Sequence, residues 1–195
     1  MKIFDISQEV FGCKIYPGDP SPNKTVVSDI SKGDLCNLSS FSMCAHNGTH
    51  IDAPYHFYID GKTVDEVDPE KYIGNALVVS HDGPVNEADA EKILQKANSA
   101  GADKRILFKG KAVVTADAAK VFAGAGVSLI GSESQTVGPE DAPMEVHLIL
   151  LKNEVVLLEG IRLDSVPEGV YFLCAAPLNL AGADGSPCRA VLIDF

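Results

Sequence analysis

The sequence predicts one α/β domain built around a mixed β-sheet. Apolar segments of strand-like composition alternate with segments of helical spacing along the chain, a pattern typical of α/β proteins. The length of 195 residues is enough for one full domain and short for two. A hydrophobic content of 46% and a charged content of 22% are ordinary for a globular protein, and no internal repeat or low-complexity linker interrupts the chain.

The N-terminal quarter is predicted to be mainly extended. A short strand is expected at 4–7, followed by a rigid turn at 16–22 that contains three prolines. Residues 24–30 have the composition of a strand, and residue types at 36–51 alternate more as in a strand than as in a helix. We therefore expect antiparallel elements in this part of the chain.

Three helices and six strands are predicted in the remainder. Residues 86–97 have helical spacing, with acidic residues early and lysines late, as the helix dipole prefers. Residues 115–124 predict a helix closed by glycine, and 141–152 a third helix with Asp141 as its N-cap and a proline close behind. The strands are expected at 76–80, 105–108, 111–114, 127–130, 155–158 and 169–175.

Charge and composition restrict the possible partners. A net charge of −11 disfavours nucleic acid and anionic membranes, because both require a basic face. No apolar run approaches the length of a bilayer span, and we expect no signal peptide. The five cysteines are odd in number and form no Cys-x-x-Cys pair, so a reducing cytoplasm is the expected location. No glycine-rich nucleotide motif is present.

The residues best suited to chemistry lie in one short segment. Of the five histidines, His46, His50 and His56 fall within eleven residues, together with Asp52. A neutral imidazole offers a lone pair near pH 7. Clustered histidine and carboxylate side chains are the ligands that a divalent ion such as zinc requires. The segment is therefore a candidate metal site.

The spacing of these residues favours an extended backbone. On a helix His46 and His50 would share a face that excludes Asp52, whereas on a strand alternate side chains point the same way. The predicted strand collects all three candidate ligands on one side. Gly48 would then leave a gap between the histidines, where an ion or a substrate could lie.

The same segment is expected to change direction at Pro54. A proline disfavours a helical conformation at the preceding Ala53, so the chain can bring His56 back over the site. The alternative is a set of ordinary polar residues on an exposed strand face. We would prefer that alternative for a single histidine, but three histidines and an aspartate with matching spacing favour a ligand set.

Other chemically capable residues are interpreted as structural. His81 lies in a Ser-His-Asp-Gly-Pro turn and is expected at the surface. Cys44, two residues before the first clustered histidine, is expected to pack as a small core residue. Arg189 could be structural or could form a salt bridge near the site, and both interpretations stay open.

The string His46-Asn-Gly-Thr-His-Ile-Asp-Ala-Pro-Tyr-His56 resembles the signature of the bacterial kynurenine formamidase and cyclase family of metal-dependent hydrolases. The resemblance extends over nearly the whole chain. Segments 16–19 and 131–136 are similar to the family's Pro-Gly-Asp turn and its Gly-x-Asp-Ser segment, with Glu133 in place of the aspartate. Further similar blocks are 158–161, 176–178 and 182–187. The resemblance implies a swivelling β/β/α fold.

The resemblance also implies a centre of two divalent ions, with zinc the first expectation and manganese the second. His46, His50 and Asp52 match ligands of the signature. The family's set is completed by a histidine and a glutamate twelve residues later, and His147 and Glu159 fit that spacing. Asp52 and Glu159 would bridge the ions. Candidate side chains to support these ligands are those of Asn47, Thr49 and Ser134.

The implied reaction is hydrolysis of an amide C–N bond. Two ions roughly 3.5–4 Å apart can share a water and lower its pKa from ~15.7 towards ~7. His56 matches the family's catalytic acid/base and would move a proton to the leaving nitrogen, a step typically worth ~10²–10⁴ in rate. N-formyl-L-kynurenine, from tryptophan catabolism, is the first expected substrate. An isatin-like ring or a lactam is the alternative substrate, and a non-catalytic metal- or small-molecule-binding domain is the alternative class.

The substrate pocket departs from the family pattern. Tyr16 precedes the Pro-Gly-Asp turn where the family tends to have tryptophan, and 104–127 is shorter than its counterpart. An aromatic substrate could stack on Tyr16, Phe57 or Tyr58. The resemblance further implies a homodimer or homotetramer, in which the N-terminal turn of one subunit completes a neighbour's site.

Overall fold

Nine strands form one continuous sheet in the computed structural model, which describes residues 1–195. The thirteen strands of the chain are β1 Lys2–Asp5, β2 Asn23–Ser28, β3 Leu38–Ser42, β4 His50–Asp52, β5 Ile73–Ser80, β6 Gly83–Val85, β7 Arg105–Lys109, β8 Ala112–Val114, β9 Leu129–Ser132, β10 Val156–Glu159, β11 Gly169–Cys174, β12 Gly185–Pro187 and β13 Val191–Asp194. The helices are α1 Glu87–Ser99, α2 Ala116–Gly124 and α3 Met144–Lys152, and single 3₁₀ turns lie at Ile30–Lys32, Pro54–His56 and Pro69–Lys71.

The sheet is mixed, as predicted. Its strand order is β1-β13-β11-β5-β7-β9-β10-β4-β12, with β5, β7, β9 and β10 parallel and both flanks antiparallel. Each parallel pair requires a crossover connection, and α1, α2 and α3 lie in the three crossovers in turn. Because both faces of the centre are covered, β9 and β10 are buried at every residue and show no alternation of burial.

Two hydrophobic cores pack against the sheet. The first includes Leu77 and Phe108 from the sheet and Phe122 from α2, which packs between α1 and α3. The second includes Ile51 and Leu158 together with side chains from the connecting segments. None of the three helices combines the length and the apolar character that a membrane span requires.

The predicted helices are confirmed, with one error at a helix start. Asn86 and Asp89 form the capping box of α1, and the Thr115 side chain caps α2. The prediction of Asp141 as the third N-cap is wrong. Pro143 immediately precedes α3 and already has helical backbone angles, so this helix begins without a side-chain cap.

The predicted strand at 36–51 is wrong in its middle. It is divided into β3 and β4, and the chain between them turns, with the Asn47 N–H donating to the Cys44 carbonyl oxygen at 3.2 Å. Gly48 has a φ of 71°, a left-handed conformation that glycine adopts without steric cost and that interrupts the extended backbone. The expected antiparallel elements near the N-terminus are confirmed, since β1 pairs with β13 and β2 with β3.

Three strands have no counterpart among the sequence predictions. β6, β12 and β13 are three or four residues long, too short for a periodic pattern to mark them. β12 matters most for function, because it pairs with β4 and forms the edge of the sheet beside the histidine segment 46–56.

Candidate metal centre

A cavity of about 300 Å³ lies where β9 and β10 end. Ligand sites of open α/β sheets commonly occupy this position, beyond the carboxyl ends of parallel strands. The cavity is lined by eight predicted site residues, namely Tyr16, His46, His50, Asp52, His56, Phe57, His147 and Glu159. Tyr58, the third predicted stacking residue, does not line it, and its hydroxyl donates to the Leu148 carbonyl oxygen at 2.7 Å. The fold therefore brings the predicted site residues together.

Strand pairing positions three of these residues. β4 runs antiparallel to β10, with His50 opposite Glu159 and Asp52 opposite Leu157. His50 and Asp52 are alternate residues of β4 and face the same side, as predicted for this part of the segment. The His50 Nε2 atom lies 3.4 Å from Asp52 Oδ1 and 3.5 Å from Glu159 Oε2. All three side chains are buried.

His147 approaches the same carboxylates from α3. Its Nε2 atom lies 3.5 Å from Asp52 Oδ2 and 3.3 Å from Glu159 Oε1. The pairing of His147 with Glu159 comes from the resemblance alone, and the distances agree with it. Each of these carboxylates thus presents one oxygen to His50 and the other to His147.

Backbone groups orient both buried histidines. The Nδ1 of His50 lies 3.0 Å from the Gly48 carbonyl oxygen, and the Nδ1 of His147 lies 2.9 Å from that of Pro143. Because a carbonyl oxygen only accepts, Nδ1 carries a proton in each ring and Nε2 faces the carboxylates. Glu159 Oε1 accepts from the Val137 N–H at 2.7 Å. The predicted supporting side chains of Asn47, Thr49 and Ser134 make no hydrogen bond to a ligand side chain.

His46 reaches the cluster by a route that the sequence did not predict. The turn before β4, rather than strand alternation, directs its ring so that Nδ1 donates to Asp52 Oδ1 at 2.8 Å. The predicted gap at Gly48 is also wrong, because a Cβ there would face Cys13 at 3.6 Å and Gly48 does not line the cavity. The position of Gly185 must be free of a side chain, since a Cβ there would lie 2.7 Å from His46 Cε1.

Asp184 is a site residue that sequence analysis missed. Its Oδ2 atom lies 2.8 Å from His46 Nε2 and 3.2 Å from His56 Nδ1. The residue directly precedes β12, which pairs with β4, and this pairing carries Asp184 to the histidines. The only available signal was its place in the 182–187 block, which identifies no role.

His56 lies over the cluster as predicted. Ala53 has an extended backbone, with φ −95° and ψ 159°, and the following 3₁₀ turn brings the His56 ring to 4.2 Å from that of His46. His46, Asp52 and His56 could together hold an ion, so geometry alone allows His56 to be a ligand or an acid/base. Phe57 packs against the rings of His56 and His147, with centroids 4.7 and 5.1 Å away.

The remaining residues marked by the sequence lie away from the cavity. Arg189 forms an ion pair with Asp5 at the surface, and His81 contacts the Pro84 carbonyl oxygen within its turn. Cys44 is half-buried and does not line the cavity. All five cysteines are unpaired.

In the metal-free protein, the buried histidines and carboxylates shift one another's pKa values. Burial acts to lower the pKa of each histidine, but hydrogen bonds to carboxylates outweigh it and raise the pKa of His50 to about 9, of His147 to about 10 and of His46 to about 11. Burial acts to raise the pKa of Asp52, yet hydrogen bonds from the histidines hold that pKa well below its ordinary value. Glu159 has a lowered pKa for the same reason.

This donor set fits a divalent ion. Asp52 and Glu159 are buried side by side, and two such carboxylates require cationic partners. Imidazole nitrogen and carboxylate oxygen are the ligands of zinc and related ions, and the oriented Nε2 atoms of His50 and His147 face the carboxylate oxygens. Protons on the histidines supply the positive charge in the metal-free protein, and a metal would replace them.

We expect metal loading at pH 7 to release about three protons per chain, because His46, His50 and His147 have pKa values above 7 and must lose the site-facing proton to bind. Isothermal titration calorimetry in buffers of different ionisation enthalpy measures this release. Metal affinity should fall as the pH is lowered. Heats that are independent of the buffer would contradict the prediction.

The same groups predict how the stability of the metal-free protein depends on pH. The raised histidine pKa values contribute stability that is fully present below the ordinary value of 6.5 and is lost as the pH rises through about 9 to 11. The lowered pKa values of Asp52 and Glu159 contribute stability that is present above ~4 and is lost as the pH falls below it. Thermal unfolding with a chelator present, measured across this range, tests both limits.

Comparison with known proteins assigns the chain to a family. The family profile "Putative cyclase" matches residues 4–139. A kynurenine formamidase of Salinibacter ruber is 33% identical over 208 residues, which cover 100% of this chain and 98% of that protein. The chain therefore belongs to the cyclase family of metal-dependent hydrolases, as the histidine signature predicted.

Solved structures support the same assignment. A structure of a potential metal-dependent hydrolase with cyclase activity is 26% identical, covers 98% of this chain and 96% of its own, and has a TM-score of 0.80. An isatin hydrolase bound to the product analogue thioisatinate is 20% identical over 98% of this chain and 91% of its own, with a TM-score of 0.83, and that likeness concerns the fold alone. The predicted cyclase-like α/β fold is confirmed.

Proposed function

We propose that this hydrolase cleaves a C–N bond other than a peptide bond, and that its substrate is N-formyl-L-kynurenine. The observation that carries the proposal is the convergence of His46, His50, Asp52, His147 and Glu159 in one cavity. The full-length similarity to a kynurenine formamidase supports the choice of substrate. The half-buried ring of Tyr16 and the ring of Phe57 line the same cavity and suit an aromatic substrate.

We propose two divalent ions per chain, with zinc as the first candidate and manganese as the second. Asp52 directs Oδ1 towards His46 and His50 and Oδ2 towards His147, and Glu159 divides its oxygens between His50 and His147. This division suits two bridging carboxylates. Bound divalent ions would supply Lewis acidity, which activates water and polarises an amide carbonyl.

His56 is the proposed acid/base. Its Nδ1 atom faces Asp184 Oδ2 at 3.2 Å, so Asp184 can hold the proton on Nδ1 and leave Nε2 to exchange a proton with the leaving nitrogen. Phe57 packs edge-on against the His56 ring and limits its rotation. Asp184 is therefore a positioning residue, which orients the ring that acts on the substrate.

The deciding experiment measures metal content and turnover together. The protein is loaded separately with zinc and with manganese, and each form is assayed with N-formyl-L-kynurenine, isatin and a simple lactam. We expect turnover of the formamide to exceed that of both cyclic amides. Bound metal with no turnover of any amide would favour a non-catalytic metal-binding domain. Glu159→Ala should lose bound metal, and unchanged binding would remove its bridging role.

We also propose that the chain forms a homodimer or homotetramer. The β2–β3 hairpin lies outside the large sheet and exposes apolar side chains, including Val26 at 58%, Leu38 at 51% and Phe41 at 61%. Exposed apolar surface of this kind is typical of association sites. The turn at 16–19 contributes Tyr16 and Asp19 to the cavity of its own chain.

Leu38→Glu is expected to shift the assembly towards the monomer, because a charge cannot be buried unpaired in an apolar interface. Analytical ultracentrifugation measures the shift. Ile59→Glu is the matched control, since Ile59 is an equally apolar and more exposed side chain outside the hairpin. A monomeric wild-type protein, or an equal shift in both variants, would contradict a hairpin-mediated assembly.

A further inference from the structure

Gly160 directly follows Glu159, one of the two buried carboxylates of the proposed metal centre. Its φ is 68°, a left-handed conformation, and a Cβ at this position would lie 2.4 Å from the Gly48 carbonyl oxygen and 2.4 Å from Gln8 Nε2. The surrounding groups therefore approach the backbone too closely for any side chain. The direction in which the chain leaves β10 at Glu159 depends on what holds this glycine.

Gly160 is buried, and its carbonyl oxygen accepts two hydrogen bonds. One comes from the Thr49 hydroxyl at 2.8 Å, and the other comes from Gln8 Nε2 at 2.7 Å. The backbone N–H of Gln8 donates in turn to the Thr49 hydroxyl oxygen, also at 2.8 Å. Both donors to this carbonyl oxygen are thus tied to Gln8, one through its side chain and one through its backbone.

Neighbouring groups determine the orientation of the Gln8 amide. Nε2 donates to the Gly160 carbonyl oxygen, which only accepts, and Oε1 accepts from the Lys14 backbone N–H at 3.3 Å, which only donates. Nε2 also donates to the side-chain oxygen of Gln135 at 2.8 Å. The amide therefore joins the N-terminal segment of the chain to the segments that follow β9 and β10.

The same contacts reach two candidate metal ligands. Gly160 is bonded to Glu159 and Thr49 to His50, and these two ligands lie opposite each other where β4 pairs with β10. The Gly48 carbonyl oxygen, which packs against Gly160, accepts from His50 Nδ1 at 3.0 Å. A functional site requires its groups to be held within about 0.5 Å of the productive geometry. A shift of the Gly160 peptide would therefore disturb both ligands.

We propose that Gln8 is a positioning residue of the metal centre, whose amide holds the Gly160 peptide and, through it, the Glu159 carboxylate in the orientation that binds metal. Gln8 does not line the metal-site cavity, so it acts through its neighbours rather than on an ion directly. This inference rests on the metal centre of the proposed function, but not on the identity of the amide that is cleaved. Its effect is measured as metal affinity, before any substrate is added.

The test measures zinc affinity by competition with a chromophoric chelator, together with the visible absorption spectrum of the cobalt-loaded protein, which reports the geometry of the ligands. Gln8→Met removes the amide at similar size, and Gln8→Asn keeps an amide but withdraws it by one methylene group. We expect zinc affinity to fall roughly 10-fold or more in both variants, because a lost outer partner leaves a metal ligand poorly oriented. The cobalt spectrum should change with it.

Gln95→Met is the matched control, since it makes the same change at an exposed position of α1. Its zinc affinity and cobalt spectrum should equal those of the wild type. Circular dichroism establishes that each metal-free variant is folded before metal is added, and Gln8→Asn is the milder change if Gln8→Met does not fold.

The outcomes separate this inference from the proposed function. Folded Gln8 variants with wild-type zinc affinity and an unchanged cobalt spectrum would overturn the inference, even if their melting temperatures were lower, because Gln8 would then support the fold alone. Absence of zinc binding by the wild type would overturn both the inference and the proposed metal centre. A fall in zinc affinity confined to the Gln8 variants would support the inference even if the wild type hydrolysed no amide.

Discussion

Replacing Asp52 with asparagine is expected to lower turnover by about 10³-fold or more and to reduce bound metal. Asp52 is the one carboxylate that contacts His46, His50 and His147, at 2.8, 3.4 and 3.5 Å. Asparagine keeps the shape but removes the charge, so it cannot compensate the protonated histidines and would bind a divalent ion more weakly. A metal that supplies several kcal/mol of transition-state stabilisation would be lost with it.

Metal content by elemental analysis and kcat/KM on the best formamide measure the two effects. Asp19→Asn is the matched control, because Asp19 lines the same cavity and contacts none of these histidines in an ion pair. We expect that control to retain its metal. If Asp52→Asn kept both metal and wild-type turnover, the cluster would not be the reacting centre.

Replacing His56 with alanine is expected to lower kcat by about 10² to 10⁴ while metal content stays unchanged. The physical reason is the loss of the proton carrier whose Nδ1 is held by Asp184. The geometry also permits a ligand role with His46 and Asp52, so the metal measurement distinguishes the two interpretations. A fall in metal content parallel to the fall in kcat would make His56 a ligand rather than an acid/base.

The control for this variant is His81→Ala, which removes a histidine from a turn outside the cavity. Neither kcat nor metal content should change. Asp184→Asn provides a second comparison, because it keeps His56 but weakens the group that orients it. We expect an intermediate loss of kcat of about 10- to 100-fold, as is typical when the partner of a functional histidine is removed.

The sequence predicted secondary structure and side-chain direction correctly where the contacts that determine them lie between neighbouring residues. The helix α1 was predicted because its capping residues and charge pattern lie within its own length. The same holds for His50 and Asp52, whose common side follows from strand geometry between neighbouring residues. The strand prediction failed at 43–49, where Gly48 permits a turn that a pattern of alternating residue types does not reveal.

The sequence by itself determined the chemistry of the centre. Three histidines and a carboxylate within eleven residues define the donor types, and the family signature adds His147 and Glu159. Tertiary structure alone decided how these groups share their contacts, because the pairing of β4 with β10 joins distant parts of the chain. Asp184, 138 residues from His46, and Gln135, 127 residues from Gln8, enter the site only through such pairing and packing. Spacing along the chain carries no information on contacts made at that separation. The candidate ligands could therefore be predicted from sequence, and the residues that reach them from distant parts of the chain could not.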